Sequence, residues 1–529
     1  MTNVSAQRRV DVAIIGCGTT GLALARLLAK ERLRVALIDS ARVPRGFPRA
    51  TNLDDDTMRS FQTLGLGRLS ERFSPVGVYR FFDSNWRPVM EFPMDGELTD
   101  QGWRAEYTFH QPDFEAVLRG LARKHADSEA LYGWEAVELV DGADGVQLTL
   151  RERHTGAVIE RDASFVVGCD GANSFVRRTM GVGQTHFGAT HRSFIVDVLP
   201  LVSKDSIATR DPFIQGGIRN PLTFVPNAAP LVRFEEMLRP EDDAAAFETV
   251  DHVYDLLLPW LEPDEYRILR ADVYEWDSVV AEQWRAGALL LAGDSAHEMP
   301  PHLGQGMCCG IRDAMNLAWK LGRVVRGQSS ATLLDTYESE RKPHVTRFVA
   351  LSAQLANEIE AMQPASDDGP AELPAREMQT LRPRLGDGIW TAEADVAGGL
   401  SAQPRLGDGR RLDDLAGYRF AVLATTTCLM GIGAATRRAL ACLDAEPIRA
   451  DSIEAQSYLA AVGAGAVVIR PDHYVYGTAA NAAELDALIA RLGRTLADRT
   501  PASLRSAWRR PRLTLTPTRK QLAGTEGRR

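Results

Sequence analysis

The sequence predicts an α/β unit of the nucleotide-binding kind, interrupted by a β-rich insertion. Three observations carry this. Val10–Ile15, VDVAII, has the apolar run of a buried parallel strand, and it leads directly into Gly16-Cys17-Gly18-Thr19-Thr20-Gly21 and a helical pattern over 22–30. Much later, an apolar strand over 288–292 passes through an acidic turn and Pro300-Pro301 to Gly304-Gln305-Gly306. After that turn, Ile311, Met315, Ala318 and Leu321 recur near helical spacing. Between them, from 186 to about 272, alternating stretches such as SFIVDV and TFVP, with Phe194, Phe213, Phe224 and Phe234, read as an antiparallel sheet roofing a site.

The glycine loop fits its context. Gly16, Gly18 and Gly21 allow a tight turn, close approach of backbone to a pyrophosphate, and tight packing of helix on strand. The next strand, over 34–38, ends at Asp39, where a carboxylate can bind ribose hydroxyls and disfavours a 2′-phosphate. FAD and NAD both satisfy that pattern. Asp55 and Asp56 open a helix whose N-terminus their charge suits. Strands are expected over 75–100, with Phe81, Phe82 and Trp86, before Gln111-Pro112 starts another helix. An apolar strand then ends at Cys169-Asp170-Gly171. Arg192, Arg219 and Arg233 on the predicted sheet are candidates for an anionic substrate, a helix over 244–257 covers that sheet, and a helix over 333–358 closes this half. Asp294, at a strand end, can accept hydrogen bonds from a polyol chain, and the turn at Gly304 and Gly306 lets backbone amides approach a ligand. The helix behind that turn directs its positive end at the same place, which suits negative charge on a reduced flavin. Pro300 and Pro301 add a rigid bend without N–H donors.

Composition narrows the function. The 529 residues suffice for two or three domains, and 45% hydrophobic with 25% charged residues is an ordinary globular balance. A formal net charge of −9 leaves no basic footprint for nucleic acid, so a small-molecule partner is expected. Six cysteines in irregular positions support neither a disulfide framework nor a metal site, and the Cys308-Cys309 pair is assigned to packing. The first residues lack the pattern of a signal peptide and no apolar run approaches membrane-spanning length, so the expectation is a cytoplasmic protein without membrane contact.

The string GDSAHEMPPHLGQGM followed by GIRDAMNLAWKL, together with the glycine loop and the Cys169-Asp170-Gly171 turn in the same order, resembles the single-component FAD-dependent aromatic hydroxylases. Within them it is most similar to the 3-(3-hydroxyphenyl)propionate hydroxylase and polyketide hydroxylase branch. The resemblance implies a Rossmann-like FAD-binding domain from 1–74, 101–185 and 273–360, a substrate domain from 75–100 and 186–272, a linker over 361–394, and a thioredoxin-like domain over 395–529. That last domain contains no C-x-x-C, so packing and homodimer contacts are its expected roles. The resemblance also implies cofactor contacts from Gly16, Gly18, Thr20, Gly21, Asp39, Arg49, Gln111, Asp170, Asp294, Gly304, Gly306 and Met307, with Asp54 near the flavin. FAD is expected to be tight and noncovalent, and NADPH or NADH transient. Only one complete glycine motif is present, because the stretch 431–436 lacks the third glycine. The implied reaction adds O2 to reduced flavin and uses the C4a-hydroperoxide to hydroxylate a phenolic ring. Pro300 and Pro301 would flank the flavin, and His297 or His302 would assist proton movement. His302 stands where hydroxyphenylpropionate hydroxylases often have an apolar residue. Polyketide tailoring or Baeyer–Villiger insertion on the same motifs is the alternative enzymatic reading, and an FAD-binding redox sensor the non-enzymatic one.

Overall fold

Val12, Ala13 and Ile14 are wholly removed from solvent, as a parallel strand covered on both faces requires. Their strand lies within a parallel array whose order is Leu289–Leu291, Val158–Gly168, Val10–Ile15, Val35–Asp39 and Ser128–Tyr132. Strands Gly145–Glu152 and Trp134–Gly142 extend this sheet antiparallel from Val158–Gly168. The computed structural model describes residues 9–497 except 45, 95, 97, 126, 189, 203–206, 208–210, 227–230 and 363–381.

Two helices begin at one end of this sheet, Thr19–Lys30 and the 21-residue Gln305–Val325. They lie close because small residues meet between them. A Cβ added at Gly310 would overlap Thr20 Oγ1, and one added at Gly293 would stand 2.6 Å from the same atom. Gly16, at φ +99°, abuts the backbone at Cys169 and Asp170, so the glycine loop touches the downstream strand turn directly.

The inserted sheet has seven strands in the order Tyr266–Trp276, His191–Pro200, Val232–Leu238, Leu222–Val225, Phe213–Gln215, Val78–Phe82 and Pro88–Pro93. It departs from the expectation in four respects. The Phe213–Gln215 and Val78–Phe82 pair is parallel, where the chain segments from two separate insertions meet. Tyr266–Trp276 continues through the expected boundary at 272, because its pairing with the neighbouring strand extends to His191↔Trp276. The covering helix is broken into Ala244–Phe247 and Val250–Leu257, with Thr249 capping the second. Finally, Phe194, Phe213, Phe224 and Phe234 form a separate core with Val253 and Leu257 on the helix-covered face. They do not roof a site, because alternation sends their neighbours to the opposite face.

The C-terminal region builds a four-stranded sheet, Glu446–Arg449, Ala421–Ala424, Ala466–Ile469 and Val475–Ala479, flanked by helices that include Ala434–Cys442, Ile453–Ala461 and Ala482–Ala497. Buried ion pairs join it to the preceding structure: Arg59 to Asp413 at 2.6 Å and Arg470 to Glu340 at 2.7 Å. Asn316 donates to both Glu340 and Asp472. The stretch 382–394, expected within a linker, buries Leu385 and Ile389, and the Ile389 amide donates to Glu340. The polar stretch 363–370 and the basic stretch 509–529 lie outside the described residues. Among the described residues no helix is long and apolar enough to cross a membrane, and no cluster of three or more His, Cys, Asp or Glu is arranged to hold a metal ion.

Candidate active site

A cavity of about 400 Å³ lies between the parallel sheet's helix ends and the inner face of the seven-stranded sheet. One end is built by helix N-termini. Gly18 is the N-cap of Thr19–Lys30 and Gly304 the N-cap of Gln305–Val325, and neither end has a side-chain cap. Their first-turn amides are therefore free of side-chain acceptors and present partial positive charge to this end. A side chain at Gly18 would grow toward Arg49, whose Nη2 lies 3.8 Å from an added Cβ. Arg49 is half-exposed and 3.5 Å from Asp294. Bare amides, a glycine cradle and a cation suit a phosphate-bearing dinucleotide.

The expected cofactor residues divide into two groups. Gly18, Thr20, Arg49, Gln111, Asp294, Gly304, Gly306 and Met307 line the cavity; Gly16, Gly21, Asp39 and Asp170 stand behind or beyond its wall. Asp39 accepts from the Cys17 amide at 2.7 Å and the Ala41 amide at 2.7 Å, so it shapes the loop. The Asp170 carboxylate is occupied at the start of Phe175–Met180, accepting from Ser174 Oγ at 2.6 Å and the Phe175 amide at 2.7 Å. Gln111 accepts from the Arg49 and Ala50 amides and donates to Thr19 Oγ1 and Glu115, which spends its side chain on holding these segments together. Asp54 is not at the cavity. It caps Asp55–Leu64 through the Thr57 amide and pairs with Arg312, which also holds Asp56 at 2.6 Å. Burial would raise the Asp54 carboxyl, but Arg312 and the capping bonds outweigh it and hold it down at about 2.

Pro300 and Pro301 border the cavity, as do both histidines. His297 is fully buried, with Nε2 2.7 Å from Asp313, which also accepts from Arg341 and the Gly293 amide. That arrangement pins the turn and leaves Nδ1 without a hydrogen-bond partner. His302 stacks edge-on against Trp276, with ring centroids 5.6 Å apart, and its Nε2 has no hydrogen-bond partner. Burial, with a smaller push from His191, lowers its pKa to about 3, so it is a neutral ring near pH 7. Cys308 and Cys309 are buried, and burial pushes both thiols up, in keeping with a packing role.

The other end of the cavity carries residues not foreseen in this role: Tyr79, Phe81, Phe92, Glu106, Thr223, Val225, Glu235, Tyr274 and Trp276. Burial raises the Glu106 carboxyl to about 7 and also raises that of Glu235, whose Oε1 accepts from the Tyr274 hydroxyl at 2.8 Å. A visible signal was present in VRFEEML, where Arg233 and Glu235 alternate with Phe234 in a largely apolar strand. Arg233 itself is anchored bidentately to Asp197 at 2.8 and 2.9 Å and to the carbonyls of Pro48 and Arg49. Arg192 and Arg219 lie elsewhere, bonded to backbone carbonyls at 239–242 and to Asp242 respectively.

Comparison with known proteins agrees with this geometry. The model of an FAD binding domain family matches residues 9–352. The chain is 33% identical over 458 residues, 81% of its length and 80% of the relative's, to a 3-(3-hydroxy-phenyl)propionate/3-hydroxycinnamic acid hydroxylase of Mycolicibacterium smegmatis. It is 32% identical over 520 residues, 92% and 95% of the two chains, to a probable NADH-specific resorcinol 4-hydroxylase of Rhodococcus jostii. The fold is shared with aklavinone-11 hydroxylase in its complex with FAD and aklavinone, at TM-score 0.79 and 23% identity over 94% of this chain and 100% of the other. It is also shared with the flavin-dependent monooxygenase PieE, at TM-score 0.78 and 20% identity over 93% and 100%. The family match spans both uncapped helix ends and the sheet between them, and the relatives are matched along most of their length: the chain belongs to the FAD-binding-domain family, among its FAD-dependent aromatic hydroxylases.

Proposed function

We propose that this cavity binds FAD at the helix ends and a phenolic ring under the seven-stranded sheet, and that the enzyme inserts one oxygen atom of O2 into that ring at the expense of NADPH or NADH. The observation that carries the reading is one continuous cavity with amide-rich, glycine-lined walls at one end and aromatic walls at the other. Gly18, Thr20 and Arg49 would hold the pyrophosphate, Asp294 the ribityl chain, and the amides at Gly304, Gly306 and Met307 the electron-rich edge of the ring system. Asp39 would meet the ribose, while Gly16, Gly21, Gln111 and Asp170 would keep the loops in place. Bound FAD, once reduced, supplies activation of O2. The chain's own task is placement and exclusion of water: Phe81, Phe92 and Trp276 sandwich the substrate, and Pro300 and Pro301 form a wall without N–H donors.

The remaining assignments rest on the family. On that basis 1–74, 101–185 and 273–360 form the FAD-binding domain, 75–100 and 186–272 the substrate domain, and 361–394 a connector. Residues 395–529 form a thioredoxin-like domain with a homodimer role, in a cytoplasmic enzyme. The four-stranded mixed sheet with flanking helices supports the thioredoxin-like assignment.

The test is turnover by FAD-loaded protein under isotopically labelled oxygen, with a panel of alkylphenols, resorcinols, phenylpropionates and fused-ring phenols. The expected result is stimulation of NAD(P)H oxidation by at least one phenol and one labelled oxygen in its product. No stimulation and no label with any member would defeat the proposal, and label in a lactone would replace ring hydroxylation with Baeyer–Villiger insertion.

A further inference from the structure

The sheet end of the cavity has an unusual charge inventory for a site taking an aryl acid. Two carboxyl groups face it, Glu235, which is 6% exposed, and the partly buried Glu106. Glu106 accepts from Asn52 Nδ2, and Glu235 accepts from Tyr274. The Tyr79 hydroxyl belongs to the same wall, close enough to both acids that each adds to the rise in its pKa. Only two cations line the cavity among the described residues, Arg49 and Arg233. Arg49 sits against Gly18 and Asp294, at the helix end. Arg233 is neutralised by its bidentate pairing with Asp197, and its other bonds hold the carbonyls of Pro48 and Arg49. His302 is uncharged there. A carboxylate brought under this sheet would lose its water, meet no available cation and approach two acids. A ring hydroxyl would instead find a Tyr hydroxyl oxygen and carboxylate oxygens able to accept its hydrogen bond. The rest of the wall, Phe81, Phe92, Met94, Trp276, Met299 and Leu303, is apolar and suits a ring.

We propose that this enzyme takes an uncharged hydroxylated arene, whose ring hydroxyl is held by the Glu235 and Tyr274 pair, and that Glu106 and Glu235 exclude arenes bearing a carboxylate. This deepens the hydroxylase reading and rests on it. It makes Glu235 and Tyr274 specificity-determining residues contributed by the sheet, outside the nucleotide-binding motifs.

The experiment uses the oxidised, FAD-loaded full-length protein. Resorcinol, 3-(3-hydroxyphenyl)propionate and the methyl ester of that acid are titrated while the flavin absorbance is followed, and each is then tested for stimulation of NAD(P)H oxidation. The ester is expected to bind at least tenfold more tightly than the acid at pH 8, with resorcinol also giving a perturbation. E235Q should narrow the ester-to-acid ratio at least fivefold, and Y274F should weaken resorcinol at least fivefold. E106Q supplies the same ratio test if E235Q does not fold, and the wild-type ratio needs no variant. An acid that binds as well as or better than its ester overturns the proposal while leaving the hydroxylase reading intact, as does a ratio unmoved in both E235Q and E106Q. Failure of every arene to perturb the flavin or to stimulate oxidation overturns the hydroxylase reading, and this proposal with it.

Discussion

Asp294 and Asp56 illustrate how two carboxylates fail differently when removed. Asp294 is 40% exposed and borders the cavity, whereas Asp56 is buried against Arg312. Asp294→Ala should leave the melting temperature of the FAD-free protein unchanged and weaken FAD retention by about 1.5–3 kcal/mol, roughly ten- to a hundredfold. Asp56→Ala should lower stability instead, by about 1–3 kcal/mol, because Arg312 keeps Asp54 but loses one buried partner. Fluorescence titration of FAD and thermal melts of both variants check the split; equal FAD affinities would remove Asp294 from the site. Burial raises the Glu106 carboxyl from 4.5 to about 7 in the folded protein, so between those values the native state holds a proton that the unfolded chain has released. Stability contributed by that proton is present below the unfolded value and is lost as pH rises toward 7. Glu106→Gln should therefore match the wild type near pH 4.5 and exceed it at pH 8 by at most about 3 kcal/mol. Urea melts at the two pH values give the comparison, and a difference independent of pH would show that Glu106 ionises normally.

At the scale of elements, the contact between Thr19–Lys30 and Gln305–Val325 sets the spacing of the two free helix ends. Gly310→Ala places a methyl group on Thr20 Oγ1, so the helices must separate, at a cost of roughly 1–3 kcal/mol and some loss of FAD affinity. Removing the obstructing hydroxyl and methyl should restore much of this: the double variant Gly310→Ala, Thr20→Ala is expected to melt higher than Gly310→Ala alone. Gly21→Ala meets the Gly16 carbonyl, a backbone atom, and no such side-chain rescue is available. If the double variant is no more stable than the single one, the helix contact is not what the Gly310 methyl disturbs.

For the whole molecule, the C-terminal sheet is tied to the rest by charges that water does not reach. Glu340 accepts from Lys320, Asn316, Arg470 and the Ile389 amide, with Arg470 and Lys320 both fully buried. Burial alone would raise its pKa, yet the adjacent cations hold the carboxyl well below the usual range. Glu340→Gln leaves the buried Lys320 without its carboxylate, while Arg470 keeps Asp472, and should cost about 3–5 kcal/mol. A chain ending at 362 should not fold stably, since Arg59 would lose Asp413 and the Ser401 carbonyl. Expression of that truncated form as a cooperative folder with full FAD affinity would contradict this coupling.

Adjacent residues decided what was legible beforehand. The strand, glycine loop and helix at 10–30, and the Pro-Pro bend followed by the helix at 305, depend on short-range backbone geometry, so their residue types announced the fold and the cofactor end of the cavity. The sheet end was not announced. Tyr79, Glu106, Glu235 and Tyr274 are scattered along the chain and converge only through strand register and sheet order. Periodicity separated Phe234 from Arg233 and Glu235, but both faces of that strand are buried, so alternation alone does not say which face meets the cavity. The same limit explains why Phe194, Phe213, Phe224 and Phe234 were expected at the site and lie behind it, and why Arg233 reads as a free cation until Asp197 is brought beside it. A dinucleotide-binding α/β unit and its family are legible along the chain, because local motifs carry those. Which charges are spent on each other and which face the cavity depends on packing, because burial and pairing are properties of neighbours that the chain order does not list.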